Sequence, residues 1–154
     1  MGHPVAGLDI GSNTFSCAIV DRVGGDAPVV LRDTSVPVRL SEGLLPGGAL
    51  LPAAVDRGLR ALERLVREFD LRRLPVRAVA TAALRITADP ESFTRPAAEL
   101  LGAPIEIVDG LAEALLTVRG ALLGLPGRGP TIVLDIGGQS TELCWSAPGG
   151  GWNP

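Results

Sequence analysis

Short apolar runs recur along the first forty residues, and glycines and small polar residues separate them. Residues 5–9 predict a buried strand, and residues 11–13 supply the turn that follows it. Residues 15–21 predict the returning strand. A third strand is expected over residues 29–40, where Pro37 marks an edge position or an irregularity. The pattern therefore predicts a three-stranded antiparallel meander.

After a loop rich in Gly and Pro, the apolar spacing changes to steps of three and four residues. This spacing predicts a helix whose single apolar stripe packs on the sheet, with the stripe formed by Val55, Leu59, Leu62, Val66 and Phe69. Short strands over 76–80 and 105–108 then alternate with helices over 90–101 and 110–123. The second part of the chain therefore predicts alternating strands and helices.

The ends of the predicted helices carry capping residues. Asp89 and Asp109 precede helices and are suited to accept hydrogen bonds from free N–H groups, and Gly102 is suited to end a helix. The segment GLPGRGP, residues 124–130, is the clearest hinge signal in the chain. A strand–loop–strand unit starts again at Thr131.

The predicted order is β-β-β-α-β-α-β-α, followed by β-β. A meander followed by alternating units fits the α/β ribonuclease-H-like domain with a mixed sheet, which actin, sugar kinases and Hsp70-type ATPases share. We expect such a domain over residues 1–125 and a hinge over residues 126–130. Residues 131–154 are then expected to form the first hairpin of a second, incomplete domain of the same kind.

Two stretches of the chain repeat one pattern: VAGLDIGSNTFSCAIV, starting at Val5, and TIVLDIGGQSTELCW, starting at Thr131. Each has an apolar strand that ends in Asp, then Ile-Gly, then small polar residues and a second apolar run. Independent turns have no reason to share Leu-Asp-Ile-Gly. The repeat therefore predicts two phosphate loops, each at the tip of a hairpin, that face one another across a cleft.

The residues of both loops suit phosphate. Glycine allows a close approach of the backbone, successive N–H groups can point at an anion, and small polar side chains add donors. The predicted phosphate-binding residues are Gly11, Ser12, Asn13 and Thr14 in the first loop and Gly137, Gly138, Gln139 and Ser140 in the second. Paired loops on two domains would clamp successive phosphates, either for phosphoryl transfer from ATP or for hydrolysis of a phosphoanhydride.

Asp9 and Asp135 end the two strands that precede the loops. A carboxylate repels phosphate, but it can bind Mg²⁺, which bridges carboxylate and phosphate oxygens. We therefore predict Mg²⁺ as the cofactor, with Asp9 and Asp135 as its ligands. The alternative is that each Asp only caps a tight turn.

Two further charged residues have both a structural and a functional interpretation. Arg85 follows a buried strand and is either a surface residue at a helix start or a phosphate ligand. Glu113 lies in the first turns of a helix, where an acid is favourable to the helix dipole, and it is also a candidate general base for an attacking water. Glu106 and Glu142 are weaker candidates for that base.

Composition narrows the classes of partner. The formal net charge is −3, and all 14 basic residues are Arg, so neither a basic nucleic-acid surface nor a Walker-type lysine is expected. No apolar run reaches the length of a membrane span, and the N-terminus lacks the pattern of a signal peptide. We expect no membrane partner and a cytoplasmic location.

Four ordered motifs, DIGSNTF, ATAALR, IEIVDGLAEA and IVLDIGGQSTEL, resemble the exopolyphosphatase/guanosine pentaphosphate phosphohydrolase (Ppx/GppA) family over nearly the whole chain. The resemblance implies that Glu113 is the catalytic base and that Arg85 binds phosphate. It also implies that Asp9 and Asp135 are the acidic residues of the two phosphate loops. Inorganic polyphosphate or guanosine penta- or tetraphosphate would be the ligand.

The chain departs from the family pattern at several positions. Gln139 stands where the family usually has a third glycine, and Ala112 and Leu115 flank Glu113 where an acid and a base are common. Family members also continue through a full second domain. From this difference in length we expect the chain by itself to be weakly active or inactive.

Three functions are compatible with the motifs. The first is Mg²⁺-assisted hydrolysis of terminal phosphoanhydride bonds in polyphosphate or guanosine pentaphosphate, with water activated by Glu113. The second is an ATP-dependent kinase of the same superfamily, and the third is a non-catalytic protein that binds polyphosphate or the guanosine nucleotide. An unpaired last hairpin would also let the chain form a homodimer, or aggregate, through exposed strand edges.

Overall fold

The computed structural model describes residues 3–21, 28–123, 129–147 and 151–153. They form an α/β structure with eight strands in two sheets, four α-helices and a short 3₁₀ turn at Leu71–Arg73. The strands are β1 (Val5–Ile10), β2 (Thr14–Asp21), β3 (Val29–Pro37), β4 (Val76–Ala80), β5 (Ile105–Ile107), β6 (Ile132–Ile136), β7 (Thr141–Ser146) and β8 (Trp152–Asn153). The helices are α1 (Pro52–Glu68), α2 (Ala82–Ile86), α3 (Glu91–Leu101) and α4 (Gly110–Ala121).

The larger sheet has the strand order β3-β2-β1-β4-β5. Strands β1, β2 and β3 pair antiparallel, whereas β4 is parallel to β1 and β5 is parallel to β4. The predicted meander and the alternating units after it are therefore confirmed. Pro37 ends β3, which is an edge strand, in agreement with the missing N–H of proline.

Helices α1 and α3 cover one face of this sheet and form the main core with it. Their close approach depends on Gly58 of α1, because a Cβ atom there would lie 2.8 Å from the ring of Phe93. The Phe93 ring in turn meets Phe15 edge to face, with the ring centroids 5.8 Å apart. The apolar stripe predicted for α1 faces this core, and Phe69 follows the last helical residue.

The predicted caps occupy the expected places. The Asp109 carboxylate accepts a hydrogen bond from the backbone N–H of Ala112 at 2.7 Å, and Asp89 accepts one from Ser92 at 3.2 Å. Gly102 ends α3 with φ of +73°, a conformation that glycine adopts without strain. Helix α2 is an addition to the predicted order, because five residues are too few to show a helical period.

The smaller sheet has the order β6-β7-β8, and α4 packs on one of its faces, where Ala114 and Val118 of the helix form a small core with Cys144 of β7. The opposite face is apolar and exposed: 71% of Ile132, 56% of Leu134 and 74% of Ile136 is accessible. The sequence predicted the β6–β7 hairpin and missed β8, which has two residues. Residues 126–128 of the predicted hinge lie outside the described residues.

Helix α4 belongs to the predicted first domain, yet its buried side chains form their core with β7 of the second sheet. Because α4 packs on β7, the smaller sheet lies near the end of β1, where the two repeated loops meet. In the described part of the chain, none of the helices has the length and apolar character that crossing a membrane requires.

Candidate functional site

The two repeated loops have the same local structure. The Gly11 N–H donates to the Thr14 carbonyl at 3.1 Å, and the Gly137 N–H donates to the Ser140 carbonyl at 2.9 Å. The first loop has no space for a Cβ atom at Gly11, since it would lie 2.6 Å from the carbonyl oxygen of Thr14, and the second loop is tight at Gly137, where the distance to the Ser140 carbonyl oxygen would be 3.1 Å. The N–H groups of these two glycines therefore close the turns, so phosphate contacts must come from the other groups of the loops.

Both loops line one cleft of about 300 Å³. The first loop contributes Asp9, Gly11, Ser12, Asn13 and Thr14, and the second contributes Asp135, Gly137, Gly138 and Ser140. The loops also touch, since a Cβ atom on Gly138 would lie 2.6 Å from the Cγ atom of Asn13. The predicted facing of the two loops across a cleft is thus what the structure shows.

The first loop is anchored to the neighbouring segments by its own polar groups. The Ser12 hydroxyl, which is buried, accepts a hydrogen bond from the backbone N–H of Ala83 at 3.0 Å. The Asn13 carbonyl accepts from the N–H groups of Val38 and Arg39 at 2.7 and 2.8 Å. These bonds hold the loop rigidly at the mouth of the cleft and leave the Asn13 side chain facing the second loop.

Glu113 and Arg85 meet on the cleft wall although 27 residues separate them in the chain. Arg85 Nη1 lies 2.5 Å from Glu113 Oε2 and donates also to the Val108 carbonyl at 2.9 Å. The Glu113 side chain is only 14% exposed, and the Arg85 side chain is 21% exposed. Glu113 is among the residues that line the cleft, and Arg85 is not. Arg85 is therefore placed to position Glu113, and its other donors have no partner within the described residues.

The electrostatics of Glu113 suit a base. Burial raises the pKa of the Glu113 carboxyl, the hydrogen bond and charge of Arg85 oppose this, and the charges of Glu142 and Asp135 raise it further, so that the net pKa is above its usual value. A base with a raised pKa holds a transferred proton more readily near neutral pH.

Asp9 is open to the cleft, yet the cleft walls and neighbouring charges surround its carboxyl group. The pKa of Asp9 is raised to about 6. The largest cause is partial removal of the carboxyl group from bulk water, and the negative charges of Glu113 and Asp135 add to it. Three carboxylates thus concentrate negative charge at one end of the cleft.

Asp135 is held in place by its neighbours. Its Oδ2 atom accepts a hydrogen bond from the Thr117 hydroxyl on α4 at 2.8 Å. Glu142 lies directly opposite on β7, and its Oε2 atom is buried with no hydrogen-bond partner in the described structure. A buried carboxylate oxygen without a partner is costly, so this position suits a cation or a ligand donor. From the sequence, Glu142 was only a weaker candidate for the general base. Its pairing with Asp135 depends on strand register, which the sequence does not show.

The donor set agrees with magnesium on chemical grounds. Within the described residues, no three His, Cys, Asp or Glu side chains converge closely enough to enclose a metal ion by themselves. Magnesium, however, is usually held by one or two carboxylates and completes its shell with water and phosphate oxygens. Asp9 and Asp135 meet that requirement, since both line the cleft.

Two of the predicted phosphate ligands do not line the cleft. Gln139 lies on the outer, exposed side of the second loop, and Arg85 is turned toward Glu113. Three residues that were not predicted from the sequence also line it: Ser16, Ile136 and Thr81, of which Thr81 lies at the carboxyl end of β4. Its only signal in the sequence is a polar residue between a buried strand and Arg85.

Comparison with known proteins agrees with this geometry. A model of the Ppx/GppA phosphatase family matches residues 18–148. An exopolyphosphatase-like protein of known structure is 27% identical to this chain, with a TM-score of 0.88. The match covers 96% of this chain and 46% of that protein. An exopolyphosphatase from Cytophaga hutchinsonii is 28% identical with a TM-score of 0.83, at 93% and 46% coverage.

The fold extends to more distant proteins. The PPX-GPPA enzyme of Aquifex aeolicus is 24% identical to this chain, with a TM-score of 0.80. The match covers 95% of this chain and 49% of the Aquifex protein. The predicted α/β fold class with a mixed sheet is confirmed by these structures. The chain spans about half the length of the solved structures that it matches.

Proposed function

The chain belongs to the Ppx/GppA phosphatase family, and from that premise we propose that its cleft binds the end of a phosphate chain and hydrolyses the terminal phosphoanhydride bond. One observation carries the proposal. Two Asp-Ile-Gly loops with equivalent turn hydrogen bonds touch across a single cleft, and the largely buried Glu113 also lines this cleft.

The loops would hold successive phosphates of the substrate. Asn13 and Thr14 on one side and Gly138 and Ser140 on the other offer amide, hydroxyl and backbone donors in a cleft narrow enough for both loops to touch one ligand. Fixed donors of this kind stabilise charge that develops on phosphate oxygens during transfer. Most of the catalysis in phosphoryl transfer consists of such positioning and charge neutralisation.

Asp9 and Asp135 would hold Mg²⁺ at the acidic end of the cleft, with Glu142 directly opposite Asp135 in the hairpin. When bound, the ion would neutralise phosphate oxygens and the three carboxylates around it. Thr117 keeps the Asp135 carboxylate in its orientation through the 2.8 Å hydrogen bond. An oriented ligand of this kind usually strengthens metal binding.

Glu113 would accept the proton of the attacking water. Arg85 holds one carboxylate oxygen by the 2.5 Å contact, which fixes the direction of the other. Water forms the new bond to phosphorus, and the bridging P–O bond breaks with its electron pair on the leaving phosphate. Arg85 has further N–H donors, since a guanidinium carries five, so binding of phosphate by Arg85 stays part of the proposal.

The proposed substrates share a terminal phosphoanhydride bond. Inorganic polyphosphate and guanosine pentaphosphate present the same terminal group to the loops, so both are proposed substrates. The direct test is release of orthophosphate from each in the presence of Mg²⁺, with the protein in excess so that slow turnover is detected. Binding without release would favour the non-catalytic interpretation, and transfer of phosphate to an added sugar would favour a kinase.

Magnesium dependence gives a separate prediction. Chelation with EDTA should abolish phosphate release, and Asp135→Asn should raise the Mg²⁺ concentration for half-maximal release by about 10- to 100-fold, because it removes one ligand charge. Asp56→Asn on the exposed surface of α1 is the matched control, since the Asp56 carboxylate pairs with Arg60 and does not line the cleft. A magnesium titration of phosphate release measures the effect, and equal titrations for both variants would contradict the assignment.

A further inference from the structure

A second, smaller pocket of about 200 Å³ lies behind the acidic end of the cleft, between β4, α4 and β6. The two cavities share four residues, Asp9, Thr81, Glu113 and Asp135. These four side chains therefore form the partition between the cleft and what we call the rear pocket.

The walls of the rear pocket beyond the partition are mainly apolar. They comprise Val79, Val108 and Leu116, together with Thr117, whose hydroxyl is already bound to Asp135. No cationic side chain lines this pocket among the described residues, and its apolar walls offer few hydrogen-bond donors to a phosphate group. At about 30 Å³ per molecule, the pocket has room for several waters.

Thr81 is the neutral member of the partition. The residue is 8% exposed, and backbone hydrogen bonds fix it, since its N–H donates to Ile10 and its carbonyl accepts from Leu84 and Arg85. Its hydroxyl has no hydrogen-bond partner in the described part of the chain. Because Thr81 lines both cavities together with Glu113, its hydroxyl is available to bind a water between them.

We propose that the rear pocket supplies the attacking water and that the Thr81 hydroxyl orients this water against Glu113. The inference rests on the proposed hydrolysis. The water donates one hydrogen to the Glu113 carboxylate and the other to Thr81 Oγ1, so that a lone pair faces the terminal phosphorus in the cleft. The P–O bond forms from this lone pair, the bridging P–O bond breaks with its electrons on the shortened chain, and Glu113 keeps the proton.

This arrangement separates the paths of the two reactants. The phosphate chain enters the polar cleft between the loops, whereas water arrives from the opposite side of the carboxylates. In-line displacement requires the nucleophile and the leaving group on opposite sides of phosphorus. A water supply on that side distinguishes a hydrolase from a kinase, which must exclude water there.

The first experiment removes the hydroxyl with little change of shape. In Thr81→Val, kcat for phosphate release from tripolyphosphate is expected to fall about 10- to 100-fold, with KM changed less than about twofold, because one oriented hydrogen bond to the water is lost. Thr81→Ser keeps the hydroxyl and should recover most of kcat. Thr94→Val, the same change on α3 away from both cavities, is the control.

Binding of magnesium tripolyphosphate, measured by calorimetry, separates this inference from the proposed function. Normal binding and unchanged kcat in Thr81→Val would overturn the role of Thr81, and a change in KM alone would make Thr81 a substrate ligand instead. A wild-type protein that binds without releasing phosphate, or that does not bind at all, would overturn the inference together with the proposed hydrolysis.

A second variant tests the pocket without touching Thr81. Val79→Phe places a ring on the open face of β4, where the rear pocket lies, and should lower kcat at least about tenfold with an unchanged KM, because water is displaced from its path. Val79→Ile adds one methylene group and is the matched control. Equal kcat in Val79→Phe and the wild type would overturn the water path even if Thr81→Val proved too unstable to measure.

Discussion

Replacing Glu113 by Gln is expected to lower phosphate release by about 10²- to 10⁴-fold while substrate binding changes little. The amide has the size of the carboxylate, and its oxygen can still accept the Arg85 hydrogen bond seen at 2.5 Å. It cannot take a proton from water near neutral pH. The loss should therefore appear in kcat, measured as orthophosphate released from polyphosphate at saturating Mg²⁺.

Glu106→Gln is the matched control for this experiment. Glu106 lies on β5, outside the cleft, and pairs with Arg77 on the surface. An exposed pair of this kind contributes little to stability, so the control should release phosphate at the wild-type rate. If Glu113→Gln kept wild-type turnover, Glu113 would not be the base, and Glu142 would be the next carboxylate to replace.

Gly11→Ala is expected to destabilise the protein by about 1 to 3 kcal/mol and to disrupt the first loop. The added Cβ atom would lie 2.6 Å from the carbonyl oxygen of Thr14, which is a backbone atom and cannot rotate away. The turn hydrogen bond between the same two residues must then lengthen or break. Urea denaturation measures the change in the free energy of unfolding.

Gly7→Ala provides the comparison, because Gly7 lies on β1, the strand that leads into the first loop, and has no atom within 4 Å of the added Cβ position. There the substitution should be neutral or slightly stabilising, since alanine loses less backbone entropy than glycine on folding. Gly137→Ala should fall between the two, with its nearest contact at 3.1 Å. Equal unfolding midpoints for the Gly7 and Gly11 variants would contradict the steric argument.

Much of the fold was predictable because it is encoded locally. Strand β4 begins and ends where the apolar run does, at Val76–Ala80, and α3 and α4 follow the capping carboxylates of Asp89 and Asp109. Capping and turn formation involve residues within four positions of each other, so the sequence shows them directly. Elements of two to five residues, such as α2 and β8, show no period and were missed.

The residue pairs of the site were not predictable in the same way. The contact of Arg85 with Glu113 spans 28 positions, and the contact of Asn13 with Gly138 joins the two copies of the repeat. Such contacts depend on how α4 packs on the smaller sheet. For the same reason the sequence could not show that Arg85, predicted to bind phosphate, pairs with Glu113 and is not among the residues that line the cleft.

The sequence by itself determined the order of most strands and helices along the chain, the two Asp-Ile-Gly loops and the acidic residues available for chemistry, because these depend on local spacing and residue type. Only the tertiary structure decided which side chains share the cleft. It left Gln139 outside the cleft lining, placed Glu142 opposite Asp135 through the register of the hairpin, and put Thr81 at the border of two cavities. The physical reason is that packing and strand register bring distant residues together, and neither is written in the spacing of neighbouring residues.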